Sequence, residues 1–394
     1  MKKNKPRRKR HKIPRIPRKI ENYFCTAPSC MRDHYRGLTP KRKFARHYIL
    51  YRQKEAKLAP KTSSLPKELP AVSFTGKTIH LHPEKRSEKI EKVIRFLKHR
   101  VVGQDDAVES FANLVAKIDA DICDPYKPRG IYLLLGPTGV GKTRIAEALA
   151  EYYFSSRTKM VKFNCGEMAT MFSFRKFGDR LFTDENISLS TNTGKPLGIL
   201  LLDEIEKATV LLYKLLMGIL DRASLRIDDQ DVDLSHTVVI MTSNLGSEDI
   251  MNILKEAKGK LAPDVQKKMR RASIEAARQK FTPEFFNRLD EVQVFNPLLH
   301  DTLQKITQME ISNVEQRLIA HDIRIQCTDL ATDMLLKEGT DVRYGARHLR
   351  RTIEKMIVQP IAHMIASGEL EQHSRVRIIA KSSGLAFRKV VDGK

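Results

Sequence analysis

Apolar residues recur at helical spacing over residues 88–99 and 105–122, and each stretch predicts an amphipathic helix. A different pattern follows at 130–135, where GIYLLL is continuously apolar and reads as a strand buried on both faces. A glycine-rich loop comes next, then a helix expected over 143–154. Short apolar runs at 160–163, 198–202, 237–241 and 291–295 predict further strands. Strands alternating with helices imply an α/β fold with a parallel sheet covered on both faces. Beyond Pro297 the spacing turns helical, over 302–320, 329–337 and 347–368, before a short strand at 375–379. That predicts a second, mainly helical domain. The expected organisation is an arm at 1–84, an α/β domain at 85–296, a helical domain at 297–383 and a tail at 384–394. There is no internal repeat.

Charge separates the arm from the body. The 394-residue chain carries +24, and residues 1–75 hold 22 Lys and Arg against four acids, a net of +18. The remaining 49 basic and 43 acidic residues leave only +6. Prolines 6, 14, 17, 28, 40, 60, 66 and 70 interrupt this basic segment, so it is expected to be largely disordered. It reads either as a solvated extension or address signal, or as a nucleic-acid arm with Tyr23, Phe24, Tyr35, Phe44 and Tyr48 available for stacking. Its first residues lead into no apolar stretch, which argues against a secretory signal. No apolar run approaches the roughly 20 residues of a membrane span. Five scattered cysteines, at 25, 30, 123, 165 and 327, fit a reducing, cytoplasmic setting better than a disulfide framework. Cys25 and Cys30 with His34 and His47 could bind zinc or remain free thiols; their spacing matches no standard zinc pattern.

Gly136, Pro137, Thr138, Gly139, Val140, Gly141, Lys142 and Thr143 fit G-x-x-x-x-G-K-[ST] between a predicted strand and a predicted helix. Glycines let backbone N–H groups close round phosphates at a helix N-terminus. Lys142 would reach the phosphates of ATP, and Thr143 would offer its hydroxyl to Mg²⁺. Asp203 and Glu204 follow the run GILLL, at the strand end where open α/β sheets place ligands. Asp203 suits the Mg²⁺ shell and Glu204 suits polarising water; the plainer reading is a pair of acids opening a helix. Asn244 ends a third strand, where an amide could orient water or simply make a turn.

The strings VVGQ (101–104), GPTGVGKT, LLLDEIEKA, MTSNLGS (241–247), FTPEFFNRLDEVQVF (281–295) and YGARHLRR (344–351) occur in that order. Together they resemble the C-terminal ATPase module of ClpA/ClpB-type AAA+ unfoldases and disaggregases, over roughly residues 85–380. The resemblance implies a P-loop AAA+ domain followed by a helical lid, a homo-hexameric ring, and ATP with Mg²⁺ bound between subunits. It implies that Asn244 is the first sensor, Arg288 the arginine finger reaching a neighbouring subunit, and Arg347 the sensor in the lid. Val101, Val102 and Gly103 would line the adenine pocket. Without those strings, Arg288 and Arg347 would read as ordinary solvated arginines.

The sequence also departs from the family. The N-terminal substrate domain, the first ATPase module and the coiled-coil insertion are missing, which implies a single ring. No peptidase-docking tripeptide lies between Ser247 and Phe281, and no aromatic-Val-Gly pore loop is present. Residues 167–197 stand in its place, with Phe172, Phe174, Phe177 and Phe182 among Arg175, Lys176 and Arg180. Phe177 beside Gly178 is the nearest equivalent of a substrate grip; the alternative is that these rings pack as core. The function expected is ATP-driven remodelling of protein substrates by a Clp-like chaperone. The rival is a nucleic-acid-directed AAA+ loader or regulator anchored by the basic arm, and a weaker third is a nucleotide-switched assembly factor.

Overall fold

The computed structural model describes residues 80–82, 85–168, 189–192, 194–227, 230–340, 345–382 and 384–390. The chain divides into a unit of residues 1–81 and a unit of residues 82–394. Phe172, Phe174, Phe177, Phe182 and the cluster Cys25, Cys30, His34 and His47 lie outside the described residues.

Two helices open the body, α1 (Glu88–Arg100) and α2 (Asp105–Asp119). Ser87 caps α1 by accepting from Ile90 N. Glu88 and Glu91 lie in its first turn and Lys98, His99 and Arg100 in its last, both complementing the helix dipole. Then follow β1 (Gly130–Leu135), α3 (Lys142–Phe154), β2 (Val161–Asn164), the short β3 (Leu189–Ser190) and β4 (Pro196–Asp203). Helix α4 (Val210–Arg222) leads to β5 (Ser224–Ile227), β6 (Gln230–Asp233) and β7 (Thr237–Ser243). Helices α5 (Ser247–Glu256), α6 (Pro263–Lys280) and α7 (Pro283–Phe286) precede β8 (Glu291–Val294). The main sheet runs β2-β4-β7-β1-β8, all parallel, with β3 antiparallel on β4.

Strand alternation divides the core in two. Ile131, Leu133 and Leu135 of β1 join Leu200 and Leu202 of β4 and Val239 and Met241 of β7 on one face, under α4, α5 and α6. Tyr132 and Leu134, with Ile199, Leu201, Val238 and Ile240, face α1, α2 and α3. Both faces are therefore apolar, which is why these strands read as unbroken hydrophobic runs. Each such buried side chain contributes about 1.5–3 kcal/mol.

A third cluster lies in the C-terminal part, built from α8 (His300–Ile319), β9 (Arg324–Cys327), α9 (Asp329–Gly339), α10 (Ala346–Ile353), α11 (Gln359–Ala366), β10 (Arg375–Lys381) and β11 (Gly384–Val390). Strand β10 pairs parallel with β9 and antiparallel with β11.

Several sequence expectations change here. Residues 384–390, expected as tail, form β11, with Leu385 and Phe387 packed on the third cluster. The long helix expected over 347–368 runs without a gap over 346–366, but widens into a π-turn at Glu354–Val358, two residues before Pro360 in α11. Proline cannot donate to the helix and its ring crowds the preceding turn, so the widened turn accommodates it. The β5–β6 hairpin was not expected, because its strands are too short and polar to show a period. Among the described residues no helix is long and apolar enough to cross a membrane.

Candidate nucleotide-binding site

The parallel sheet brings the carboxyl ends of its strands to one edge. Leu135 pairs with Ser243 across β1 and β7, and Asn164 pairs with Asp203 across β2 and β4. The residues that follow these ends build the site. After β1 the chain turns through Gly136, Gly139 and Gly141, with φ of +135°, +75° and +110°. At Gly136 a side chain is excluded, since a Cβ there would lie 2.7 Å from the backbone oxygen of Phe295.

Lys142 opens α3 and is 8% exposed. Its ammonium donates to Gly136 O at 2.5 Å, Pro137 O at 2.8 Å and Asn244 Oδ1 at 2.9 Å. Burial pulls its pKa down to about 8, opposed by the charges of Glu206 and Asp203. Among the described residues it forms no ion pair, so a buried cation at the loop's base has only carbonyl and amide oxygens as partners. That is the environment an anionic phosphate completes.

The acids are held by groups the sequence did not single out. The Thr242 hydroxyl donates to Asp203 Oδ1, and its own oxygen, Thr242 Oγ1, accepts from Glu204 N at 3.2 Å. Lys162, one strand away on β2, lies 3.2 Å from Asp203 Oδ2. Glu204 sits in the left-handed region, φ +57° and ψ +51°, a conformation that costs a non-glycine residue on the order of 1–3 kcal/mol. Its carboxylate pairs with Lys207 Nζ at 2.8 Å. Glu206 Oε1 accepts from Asn244 N at 3.1 Å, fixing the residue that receives the Lys142 ammonium.

Thr138, Gly139, Val140, Gly141, Lys142, Thr143, Asp203, Glu204 and Asn244 line one cleft of about 290 Å³, joined by Arg347 and Ala346 from α10. Val101 and Val102 line it too, with Leu298, Ile306 and Met309 adding apolar surface that the sequence reading missed. Gly103 is not on this wall; it backs onto Thr302, whose Cγ2 would lie 2.7 Å from an added Cβ. Gly136 and Pro137 contribute through their carbonyls beneath Lys142. An apolar end beside the glycine-rich loop fits the base of a nucleotide. Thr143 hydroxyl and Asp203 carboxylate oxygens are the hard donors Mg²⁺ takes alongside phosphate and water, and the ion would neutralise phosphate charge there.

Arg288 is not part of the cleft. Its Nε and Nη2 donate to the two carboxylate oxygens of Asp221 at the end of α4, the second at 2.7 Å. Nη2 also donates to Glu284 Oε1 at 3.0 Å, and Nη1 donates to Glu284 O at 2.8 Å. Four of the five guanidinium N–H groups are thus occupied.

Comparison with known proteins places this site in a family. Residues 127–292 match the model of an AAA domain (Cdc48 subfamily), and residues 298–378 match the C-terminal, D2-small domain of ClpB protein. The chaperone protein ClpB of Bdellovibrio bacteriovorus is 34% identical over 322 residues, 80% of this chain and 36% of that protein. ClpB of Aquifex aeolicus is 34% identical over 320 residues, 80% of this chain and 32% of that one. The mitochondrial ClpB4 of Arabidopsis thaliana is 33% identical over 329 residues, 80% and 34% of the two chains. The chain therefore spans about a third of the length of these curated relatives. A cryo-EM reconstruction of Hsp104 in a closed state, with ATPγS and FITC casein, superposes with a TM-score of 0.62 at 26% identity, covering 77% of this chain and 52% of that one. The chain belongs to the Clp-type AAA+ ATPase family.

Proposed function

We propose that this protein hydrolyses ATP at the interfaces of a ring of its own copies and uses the cycle to remodel protein substrates. The observation that carries the reading is the convergence of the P-loop, Asp203, Glu204, Asn244 and Arg347 on one cleft, with Arg288 on a separate surface. In this reading Lys142 and Thr143 bind the phosphates and Glu204 takes the proton from the attacking water. Asn244 holds the far side of the transferring group, and Arg347 senses it from the lid. Arg288 supplies charge neutralisation to the neighbour's site, exchanging part of its hold on Glu284 or Asp221 for phosphate.

Protein as the remodelled material is supported by relatives named as chaperones and by the Hsp104 reconstruction solved with casein. An unfolded protein is expected to raise the ATPase rate severalfold, with nucleic acid leaving it unchanged. Stimulation by nucleic acid alone would replace this reading with a nucleic-acid-directed ATPase.

A further inference from the structure

The lid touches the phosphate-binding loop through backbone, at a point no side-chain motif identifies. Ala346 N, the first residue of α10, donates to Gly139 O at 3.2 Å. The preceding Gly345 has φ +53° and ψ −142°, and it packs so closely that an added Cβ would lie 2.9 Å from Thr138 O and 3.0 Å from both C and O of Gly139. Side chains rarely adopt that backbone conformation, and here the obstacles are main-chain atoms that cannot rotate aside.

We infer that this contact orients the Gly139–Val140 peptide, and that Gly345 is a positioning residue for the phosphates of the bound nucleotide. The peptide is planar and trans, so its carbonyl and N–H point in opposite directions. Fixing Gly139 O against the lid therefore fixes Val140 N–H on the opposite side, and Val140 lines the cleft. The lid thus sets the aim of a phosphate-binding N–H, and lid position and loop shape become one variable. The same contact starts α10 at the loop, which brings Arg347 to the cleft one residue later. The inference rests on the nucleotide-site reading above.

The test compares ATPγS and ADP binding by the full chain and three variants. Gly345→Ala forces the lid off the loop. Ala346→Pro removes the N–H and puts its ring Cδ where that hydrogen pointed at Gly139 O, so it too parts the lid from the loop, at a first helical position where a helix otherwise accepts proline. Gly368→Ala is the control, since Gly368 also has positive φ (+75°) in this region but nothing lies within 4 Å of its would-be Cβ. Gly345→Ala and Ala346→Pro are expected to raise Kd for both nucleotides, and KM for ATP, by roughly tenfold or more, the loss of an N–H to a charged acceptor. Gly368→Ala should leave Kd unchanged, and the nucleotide-free melting midpoint of Ala346→Pro should match it. Should Gly345→Ala misfold, Ala346→Pro decides alone. Unchanged Kd in Ala346→Pro, or an equal rise in Gly368→Ala, overturns the inference. If the unmodified chain binds no nucleotide, the site reading fails first and takes this inference with it.

Discussion

Lys142 and Asn244 are joined by a 2.9 Å hydrogen bond from the ammonium to the amide oxygen. The bond ties the start of α3 to the end of β7. Asn244 is itself held by Glu206, so a chain of contacts links the phosphate loop to the residues after Asp203. This network holds a buried cation of lowered pKa at the base of the glycine-rich loop.

Nucleotide affinity should therefore depend on pH through Lys142. Burial lowers its pKa to about 8 in the nucleotide-free protein, and phosphate raises it again by favouring the charged form. Between those two values the complex holds more protons than the free protein, so affinity falls as pH rises. ATPγS titrations should show log Kd flat below pH about 8 and climbing with a slope approaching one above it. For folding the sign is opposite: the unfolded chain holds the extra proton between about 8 and 10.5, so this group's penalty on the nucleotide-free fold lifts across that window. A Kd without inflection near pH 8 would contradict a lowered pKa for Lys142 in the nucleotide-free protein.

Thr242→Val tests the support of the two acids. Valine keeps the shape but leaves Asp203 Oδ1 and Glu204 N without their shared hydroxyl, a loss of about 1–3 kcal/mol. Since Lys142 and Thr143 are untouched, kcat should fall roughly ten- to a hundredfold while KM for ATP changes little. A raised KM with kcat intact would move Thr242 from positioning the acids to binding nucleotide.

How much of this was legible beforehand follows from distance along the chain. The P-loop and the Asp203–Glu204 pair are contiguous strings with their own strand and helix context, and the apolar runs predicted the central strands directly. Thr242 meets Glu204 from 38 residues away, and Lys162 meets Asp203 only because β2 pairs with β4 in that register. Such juxtapositions are properties of the sheet, and no local spacing encodes them. Leu298, Ile306 and Met309 showed only helical periodicity and could not be told from core. Strand β9 was hidden because a four-residue strand has too few positions to display a period. Gly345 stood in a recognised string, YGARHLRR, but the need for glycine appears only when Thr138 and Gly139 lie against it.

The basic arm should bind polyanions in proportion to its charge. Residues 1–75 carry +18, and duplex DNA binding should weaken with salt at a slope of about 0.9 per phosphate neutralised. Deleting residues 1–75 should abolish that binding and spare basal ATP hydrolysis, measured by anisotropy and phosphate release. Equal DNA affinity in the truncated body would place the polyanion site elsewhere.

The central claim is that one active site draws residues from two copies of the chain, and mixing two inactive variants tests it most directly. Glu204→Gln should bind ATPγS like the unmodified chain yet barely turn over, since its amide cannot accept a proton. Arg288→Ala should lose about 10³–10⁵ in kcat with little change in ATP affinity. Combined, the two should recover measurable hydrolysis, because some interfaces then pair an intact Glu204 with an intact Arg288. A mixture no more active than the sum of its parts, or an unmodified protein fully active as a monomer, would contradict the account.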